Sequence, residues 1–83
     1  MILKIIKREK EKNNTLETIK YVPIIQGDDC CEEKTTFNDN GEIISNHLIA
    51  NTDIGTIAYD LQNINYKAIY LMNDEGKTIE RIK

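Results

Sequence analysis

The sequence has few of the residues from which most catalytic sites are built: one histidine, two cysteines and four glycines in 83 residues. None of the glycines lies in a GxGxxG or GxxxxGK(S/T) pattern, so phosphate binding for nucleotide-dependent catalysis has no support. A Ser-His-Asp relay around His47 would have to be assembled from distant parts of a very small domain. We therefore expect a non-enzymatic protein with no catalytic residues and no cofactor.

Long apolar runs are also absent. The longest, from Ala68 to Met72, has five residues, whereas a membrane-spanning helix needs about 20. Residues 1–7 lack both the apolar length and the small-residue cleavage site of a secretory signal. A chain of 83 residues has room for one domain, which we assign to residues 1–83. We expect a globular cytoplasmic protein that does not bind membranes.

Cysteine is limited to one adjacent pair, Cys30 and Cys31. A disulfide between neighbours closes a strained ring, so reduced thiols are expected. Redox sites usually space their cysteines by two residues at a helix N-terminus, which is not the pattern here. Two thiols on opposite faces of an extended chain, with only His47 elsewhere, are too few ligands for zinc or copper, and no calcium-binding loop pattern is complete. We expect no metal site, and one cysteine packed in the core.

Alanine is scarce, with three residues against 15 isoleucines, and this balance favours sheet over helix. Two turns, Asn-Asp-Asn-Gly at 38–41 and Asn-Asp-Glu-Gly at 73–76, each separate two apolar segments. Asn and Asp side chains close such turns and Gly accepts a positive φ, so both predict β-hairpins, and their shared pattern hints at a repeat. The predicted hairpins join residues 34–37 with 42–50, and 66–72 with 77–82.

Two segments, residues 15–22 and 54–64, are each compatible with either a strand or a helix. Residues 15–22 follow a predicted strand over 2–12, but Asn14 and Glu17 have capping-box spacing. We prefer a returning strand over 15–25, because its end is β-favouring and Pro23 is compatible with a sheet edge. Within residues 54–64, Thr56 to Leu61 alternates as a strand does, although Ile57, Leu61 and Ile64 also fit a helical stripe.

The predicted fold is therefore mainly β: five or six antiparallel strands curled into a small barrel or half-barrel. The alternative is an α+β fold with one short helix. Apolar residues on the predicted strands supply the expected core: Ile5, Ile19, Ile25, Phe37, Ile44, Ile57, Tyr59, Ile69, Leu71 and Ile79.

Charge is unevenly distributed along the chain. Residues 1–20 carry six cations against three carboxylates, whereas residues 28–60 carry eight carboxylates against one lysine. Carboxylates displayed on a rigid sheet attract a basic partner surface. We predict that such a partner contacts six acidic residues: Asp28, Asp29, Glu32, Glu33, Asp39 and Glu42.

The chain end supplies a resemblance. The stretch from Tyr66-Lys67 through Asn73-Asp74-Glu75-Gly76 to Lys83 is similar to the last hairpin of the phage uracil-DNA glycosylase inhibitor family. The similarity covers under a quarter of the sequence and includes none of that family's inhibitory residues. It is compatible with an inhibitor, but no site residue follows from it.

The function predicted from these observations is a small protein-binding module, an inhibitor or accessory factor of a phage or mobile element. Its working surface is expected to be acidic or an exposed edge strand, and unpaired edges predict a homodimer. The first alternative is a nucleic-acid-binding protein that uses the basic N-terminal hairpin. We regard nucleic acid as the less favoured partner, because Glu9 and Glu11 interrupt the basic stretch from Lys4 to Lys12 and no aromatic residue lies within that stretch. The second alternative is a small-molecule-binding protein formed as an oligomer.

Overall fold

The computed structural model describes residues 1–83 and contains seven strands and no helix. No segment therefore has the form of a long apolar helix that crosses a membrane. In chain order the strands are β1 Ile2–Glu11, β2 Asn14–Pro23, β3 Cys31–Phe37, β4 Ile43–Thr52, β5 Gly55–Asp60, β6 Tyr66–Met72 and β7 Thr78–Arg81.

The strands form two antiparallel sheets in two compact units. The terminal unit, Met1–Pro23 with Ile64–Lys83, contains the sheet β2-β1-β6-β7. The central unit, Ile24–Asn63, contains the sheet β3-β4-β5. The predicted mainly β class is confirmed, and so are strands over 15–22 and over most of 56–61, which removes the helical alternative. The number of strands was underestimated. Neither sheet closes on itself, so no closed barrel is present; the half-barrel and the single domain over 1–83 stay predictions.

In the terminal unit, β1 pairs with both β2 and β6, and its alternation decides which side chains are buried. Leu3 and Ile5 lie on one face, opposite Val22 of β2 and Leu71 and Ile69 of β6. All five are buried. Because successive residues of a strand point to opposite faces, Lys4 and Ile6 lie on the other face, which the terminal unit leaves uncovered.

The central unit has its own small core around β4. Leu48 lies between Glu33 of β3 and Tyr59 of β5, and Ala50 lies between Cys31 and Ile57. Leu48 is 2% exposed and Ala50 is completely buried. The other buried side chains of this unit are Ile24, Cys30 and Leu61.

The predicted core was only partly correct. Ile5, Ile69 and Leu71 are buried, and Ile25 and Tyr59 are half-buried. The exposed members are Ile19, Phe37, Ile44, Ile57 and Ile79. The buried residues that the pattern missed are Leu3, Val22, Ile24, Cys30, Leu48, Ala50, Leu61 and Ala68.

Strand register explains the clearest of these errors. Ile19 lies opposite Ile6 in the β1–β2 pair and therefore on the uncovered face, whereas Lys20 lies opposite the buried Ile5. A shift of one residue reverses which face each side chain occupies, and the apolar pattern of β2 alone does not specify that register.

The first predicted hairpin turn is present and is closed by Asn38. Its side-chain Oδ1 accepts hydrogen bonds from the backbone N–H groups of Asn40 and Glu42, both at 2.9 Å. Its backbone N–H donates to the Glu42 carbonyl, also at 2.9 Å. Gly41 adopts a φ of 81°, which a residue with a Cβ rarely does.

The second hairpin turn repeats this geometry. Asn73 Oδ1 accepts from the N–H groups of Glu75 at 3.0 Å and Lys77 at 2.9 Å, and Gly76 has a φ of 85°. Each hairpin also has a register shift in its last pairs before the turn. The repeated Asn-Asp-x-Gly pattern therefore corresponds to one turn structure used twice, once in each unit.

Candidate functional site

The acidic turn at residues 27–30 is held against β4 by one asparagine. The Cys30 N–H donates to the Gly27 carbonyl at 3.2 Å, which closes the turn and places Asp28 and Asp29 at its tip. The Asn51 side-chain amide donates to the Asp29 carbonyl, and the Asn51 N–H donates to the Cys30 carbonyl at 2.9 Å. The Asn51 carbonyl accepts from the Ile25 N–H at 2.9 Å. Asn51 therefore fixes both chain segments that lead to the acidic turn.

Beside this turn lies an open depression of about 330 Å³, lined by Asp28, Asp29, Cys31, Glu32 and Asn51. Three of the six predicted contact residues thus come together at the start of β3. The carboxylates are exposed, so water screens their mutual repulsion. Asn51 was missed from the sequence because its role depends on contacts with residues more than 20 positions earlier in the chain.

The other three predicted contact residues lie elsewhere. Glu33 follows Glu32 in β3 and points to the opposite face of the sheet. Asp39 and Glu42 belong to the turn after β3, at the other end of a seven-residue strand. Since a strand rises about 3.3 Å per residue, about 20 Å separates that turn from the depression. The six residues therefore form a cluster of three, a neighbour on the reverse face, and a distant pair.

The cluster adjoins a sheet edge. β3 is an outer strand of the central sheet, because it pairs with β4 along one edge and with no strand of that sheet along the other. An outer strand has backbone N–H and C=O groups available for another strand. Glu32 lies on one face of this edge and Glu33 on the other, and both are exposed. A segment paired to β3 would therefore meet carboxylates on both faces.

The two units have opposite charge. The central unit has eight carboxylates and one lysine, a net charge of −7, and the terminal unit has ten cations and six carboxylates, a net charge of +4. All three ion pairs lie in the terminal unit: the N-terminus with Asp74, Lys7 with Glu9, and Lys67 with Glu17. No carboxylate of the central unit is neutralised by an ion pair.

The thiols lie next to the depression without forming a disulfide. Cys30 is buried, as one cysteine was expected to be, and Cys31 is half-buried. Cys30 Sγ donates to Cys31 Sγ at 3.7 Å. The expectation that the thiols point to opposite faces was wrong, because Cys30 lies in the turn before the extended chain begins. His47 lies further along the sheet, opposite Lys34 and Asp60, and no group of three metal-ligating side chains is assembled.

A second surface, of which the sequence predicted only the basic N-terminal hairpin, lies on the uncovered face of the terminal sheet. A row across all four strands joins Tyr21, Lys4, Tyr70 and Arg81 through successive cross-strand pairs. The Arg81 guanidinium lies 5.5 Å from the centroid of the Tyr70 ring. These residues are far apart in the chain, so no local motif contains them. We name this row of four residues the tyrosine–cation row.

The reverse face of the same sheet has a different charge arrangement. There Lys7 lies 3.0 Å from Glu9 Oε1. The hydrogen bond to Glu9, followed by the charge of the same carboxylate, raises the pKa of Lys7. Lys7 is thus paired with a neighbouring carboxylate on its own strand.

Comparison of the chain with protein-family models, with curated proteins and with solved structures finds no match. We therefore infer the function from the two surfaces themselves.

Proposed function

We propose that the protein is a non-enzymatic protein-binding module whose central unit captures a basic, extended segment of a partner along β3. The observation that carries this proposal is the cluster of Asp28, Asp29 and Glu32 beside an outer strand. Strand addition to a sheet edge uses backbone hydrogen bonds for affinity and side-chain contacts for specificity. Carboxylates at the edge favour lysine and arginine on the added strand.

The charge of the central unit supports the same partner. Its net charge of −7 is not reduced by ion pairs, so a basic segment meets it without first displacing a lysine or arginine. Charge of this kind increases the rate of association and makes binding sensitive to salt. It also disfavours pairing of β3 with β3 of a second copy, because Glu32 and Glu33 would approach their own counterparts.

The proposal also includes a biological role and a cellular location. A small module that occupies a basic surface is suited to act as an inhibitor or accessory factor, and we place it in the cytoplasm of a host that carries a phage or mobile element. A homodimer forms through a different edge, β5, whose six residues contain one charged side chain, Asp60.

The direct test uses a synthetic peptide in which lysine alternates with valine, titrated by calorimetry at several salt concentrations. The triple variant Asp28→Asn, Asp29→Asn, Glu32→Gln should bind more weakly, with a smaller salt dependence, because it removes the clustered carboxylates. The control variant Asp39→Asn, Glu42→Gln, Asp53→Asn removes the same charge elsewhere in the central unit and should bind nearly as tightly as the wild type.

A second probe separates edge pairing from charge alone. N-methylation of alternate peptide residues removes backbone donors but keeps every lysine, and it should abolish binding if the peptide adds to β3. Equal weakening by the two triple variants, or full binding of the N-methylated peptide, would show that only net charge matters and would contradict the proposal.

A further inference from the structure

The tyrosine–cation row forms the centre of a larger exposed surface on the terminal sheet. Tyr21 is 56% exposed and Arg81 is exposed, whereas Lys4 and Tyr70 are half-buried. Neighbouring strands lie about 4.8 Å apart, so the two tyrosines, which are separated by β1, are about 10 Å apart. Lys4 occupies the space between them.

An apolar row lies next to the tyrosine–cation row. Ile6 of β1 lies opposite Ile19 of β2 and Ala68 of β6. Ile19 is 52% exposed although it is in the middle of a ten-residue strand. Ile6 is half-buried and Ala68 is buried, so Ile19 supplies most of the exposed apolar area beside the aromatic rings.

Cations predominate on this face. Strand alternation places Lys4, Arg8 and Lys10 on the same face of β1, and Arg81 joins them from β7. Lys4, Arg8 and Lys10 are in no ion pair, whereas Arg81 Nε donates to the main-chain oxygen of Lys83 at 3.1 Å. The carboxylate that faces Arg8 across the strand pair, Glu17, is bound to Lys67 Nζ at 3.2 Å. The face therefore has a positive charge that its own carboxylates do not cancel.

An open depression extends the surface at the end of β1. It has a volume of about 260 Å³ and is lined by Arg8, Lys10, Ile64 and Asn65. Ile64 is 92% exposed, so an apolar side chain is held in water beside two cations. Cations beside apolar and amide groups are suited to contact a phosphate and the adjoining base together.

We propose that this face binds single-stranded nucleic acid. The exposed Tyr21 ring and the half-buried Tyr70 ring offer flat surfaces for stacking with bases, and the cations between and beside them offer charge for phosphates. The Tyr21 and Tyr70 rings, about 10 Å apart, can each stack on one base of a single strand whose bases are unstacked from each other. In a duplex the bases remain stacked about 3.4 Å apart and present only their edges in the grooves, so the rings cannot reach their flat faces. The geometry therefore favours a single strand over a duplex.

Charge also distinguishes this ligand from a second copy of the chain. Two copies that met through this face across a two-fold axis would bring Lys4, Arg8 and Arg81 close to the same cations of the partner copy. The net charge of the whole protein is −3, but electrostatic interactions fall off over about 8 Å at physiological ionic strength. The local charge of the face therefore dominates close contact with phosphates.

The experiment is a fluorescence anisotropy titration of a labelled oligothymidylate and a labelled oligouridylate against the full chain. We expect dissociation constants of about 10⁻⁴ to 10⁻⁶ M, which weaken as salt is raised. A duplex of the same length should bind more weakly. Removing one phosphate contact by Lys4→Gln should reduce the salt slope by about 0.7.

Two pairs of variants test the face. Tyr21→Leu should weaken binding about fivefold or more, because a base loses its stacking partner. Its control is Phe37→Leu, which removes a ring of similar exposure, 57%, from the central unit. The control for Lys4→Gln is Lys20→Gln, which removes the same charge from the reverse face of the terminal sheet. Both controls should bind nearly as the wild type does, and melting curves should show all four variants folded.

Several results would overturn the inference: no binding of either oligonucleotide, equal binding of the duplex, or equal effects of each variant and its control. Sedimentation supplies one more. If Tyr21→Leu and Lys4→Gln dissociated a dimer and left oligonucleotide binding unchanged, the face would be a contact between copies. Because the acidic cluster is in the central unit, a protein that does not bind oligonucleotides could still capture the lysine–valine peptide, and the peptide titration tests that proposal separately.

Discussion

At the scale of single residues, Asn51 joins β4 to the acidic turn through one side-chain hydrogen bond and two backbone hydrogen bonds. It donates to the carbonyls of Asp29 and Cys30 and accepts from the N–H of Ile25. These contacts connect β4 to the acidic turn, so the position of the proposed peptide contact depends on an uncharged residue that would not itself carry the binding energy.

Replacement of Asn51 with Ala should lower the free energy of unfolding by about 1–2 kcal/mol, because the side-chain hydrogen bond to the turn is lost. It should also weaken capture of the lysine–valine peptide although no charge changes. Urea denaturation and calorimetry measure the two effects. Asn40→Ala, which removes an asparagine side chain that makes no hydrogen bond, serves as the control. Equal effects of the two variants would argue against the anchoring role.

A second residue-scale prediction concerns Lys7. Glu9→Gln should lower the pKa of Lys7, because the variant removes the negative charge that favours the protonated ammonium and replaces the carboxylate acceptor with a neutral amide oxygen. Since the folded-state pKa is raised, the pair contributes to stability at neutral pH, and the contribution is lost as pH rises through the pKa of Lys7. NMR titration of the lysine side chain measures the shift. An unchanged titration would show that the pair is not formed in solution.

At the scale of elements, the two Asn-Asp-x-Gly turns are the best-specified local structures in the chain. In each turn one asparagine side chain accepts from two backbone N–H groups, and a glycine adopts a positive φ two residues after the aspartate. Because all of these contacts fall within five consecutive residues, the turn forms in the same way in both units.

Asn38→Ala and Asn73→Ala should each lower the free energy of unfolding by about 1–2 kcal/mol, because two backbone N–H groups lose their acceptor in each variant. Asn38→Asp and Asn73→Asp retain an acceptor and should keep most of the stability. Thermal or urea unfolding of the four variants provides the comparison. If the aspartate variants were as unstable as the alanine variants, acceptance of these hydrogen bonds would not explain the turns.

At the scale of the whole molecule, the distribution of charge separates the two proposed activities. The central unit has an acidic edge, and the terminal unit has a basic face with aromatic rings. Partners of opposite charge would therefore use different parts of the chain. Competition between the lysine–valine peptide and the oligonucleotide for one site is not expected.

We expect the whole molecule to assemble as a homodimer through β5. The β5 edge has one charged residue and exposes Ile57, so antiparallel pairing of β5 with its copy would bury apolar surface at about 25 cal/mol per Å². Light scattering should give about twice the chain mass of 9.6 kDa. Ile57→Lys should give the single-chain mass, whereas Ile54→Lys, in the turn before β5, should not. A mass of 9.6 kDa for the wild type at high micromolar concentration would contradict the dimer.

Features that depend on neighbouring residues could be predicted from the sequence. Turn chemistry at Asn38 and Asn73 specified both hairpins, and the excess of isoleucine over alanine specified a mainly β fold. The six acidic residues were also found from local charge density. Local charge density could not predict whether these residues share a surface. Successive side chains of β3 point to opposite faces, which separates Glu32 from Glu33, and the length of β3 separates Asp39 from Asp28.

Strand pairing and the choice of uncovered face depend on contacts between residues that are distant in the chain. β1 pairs with β6, more than 60 residues further along, and that register places Lys4 between Tyr21 and Tyr70. The same register exposes Ile19 and buries Leu3. Pairing energies between strands distant in the chain depend on all the side chains that meet across the sheet, and a one-residue shift reverses every face. The local pattern of any one strand therefore could not specify the core or the tyrosine–cation row.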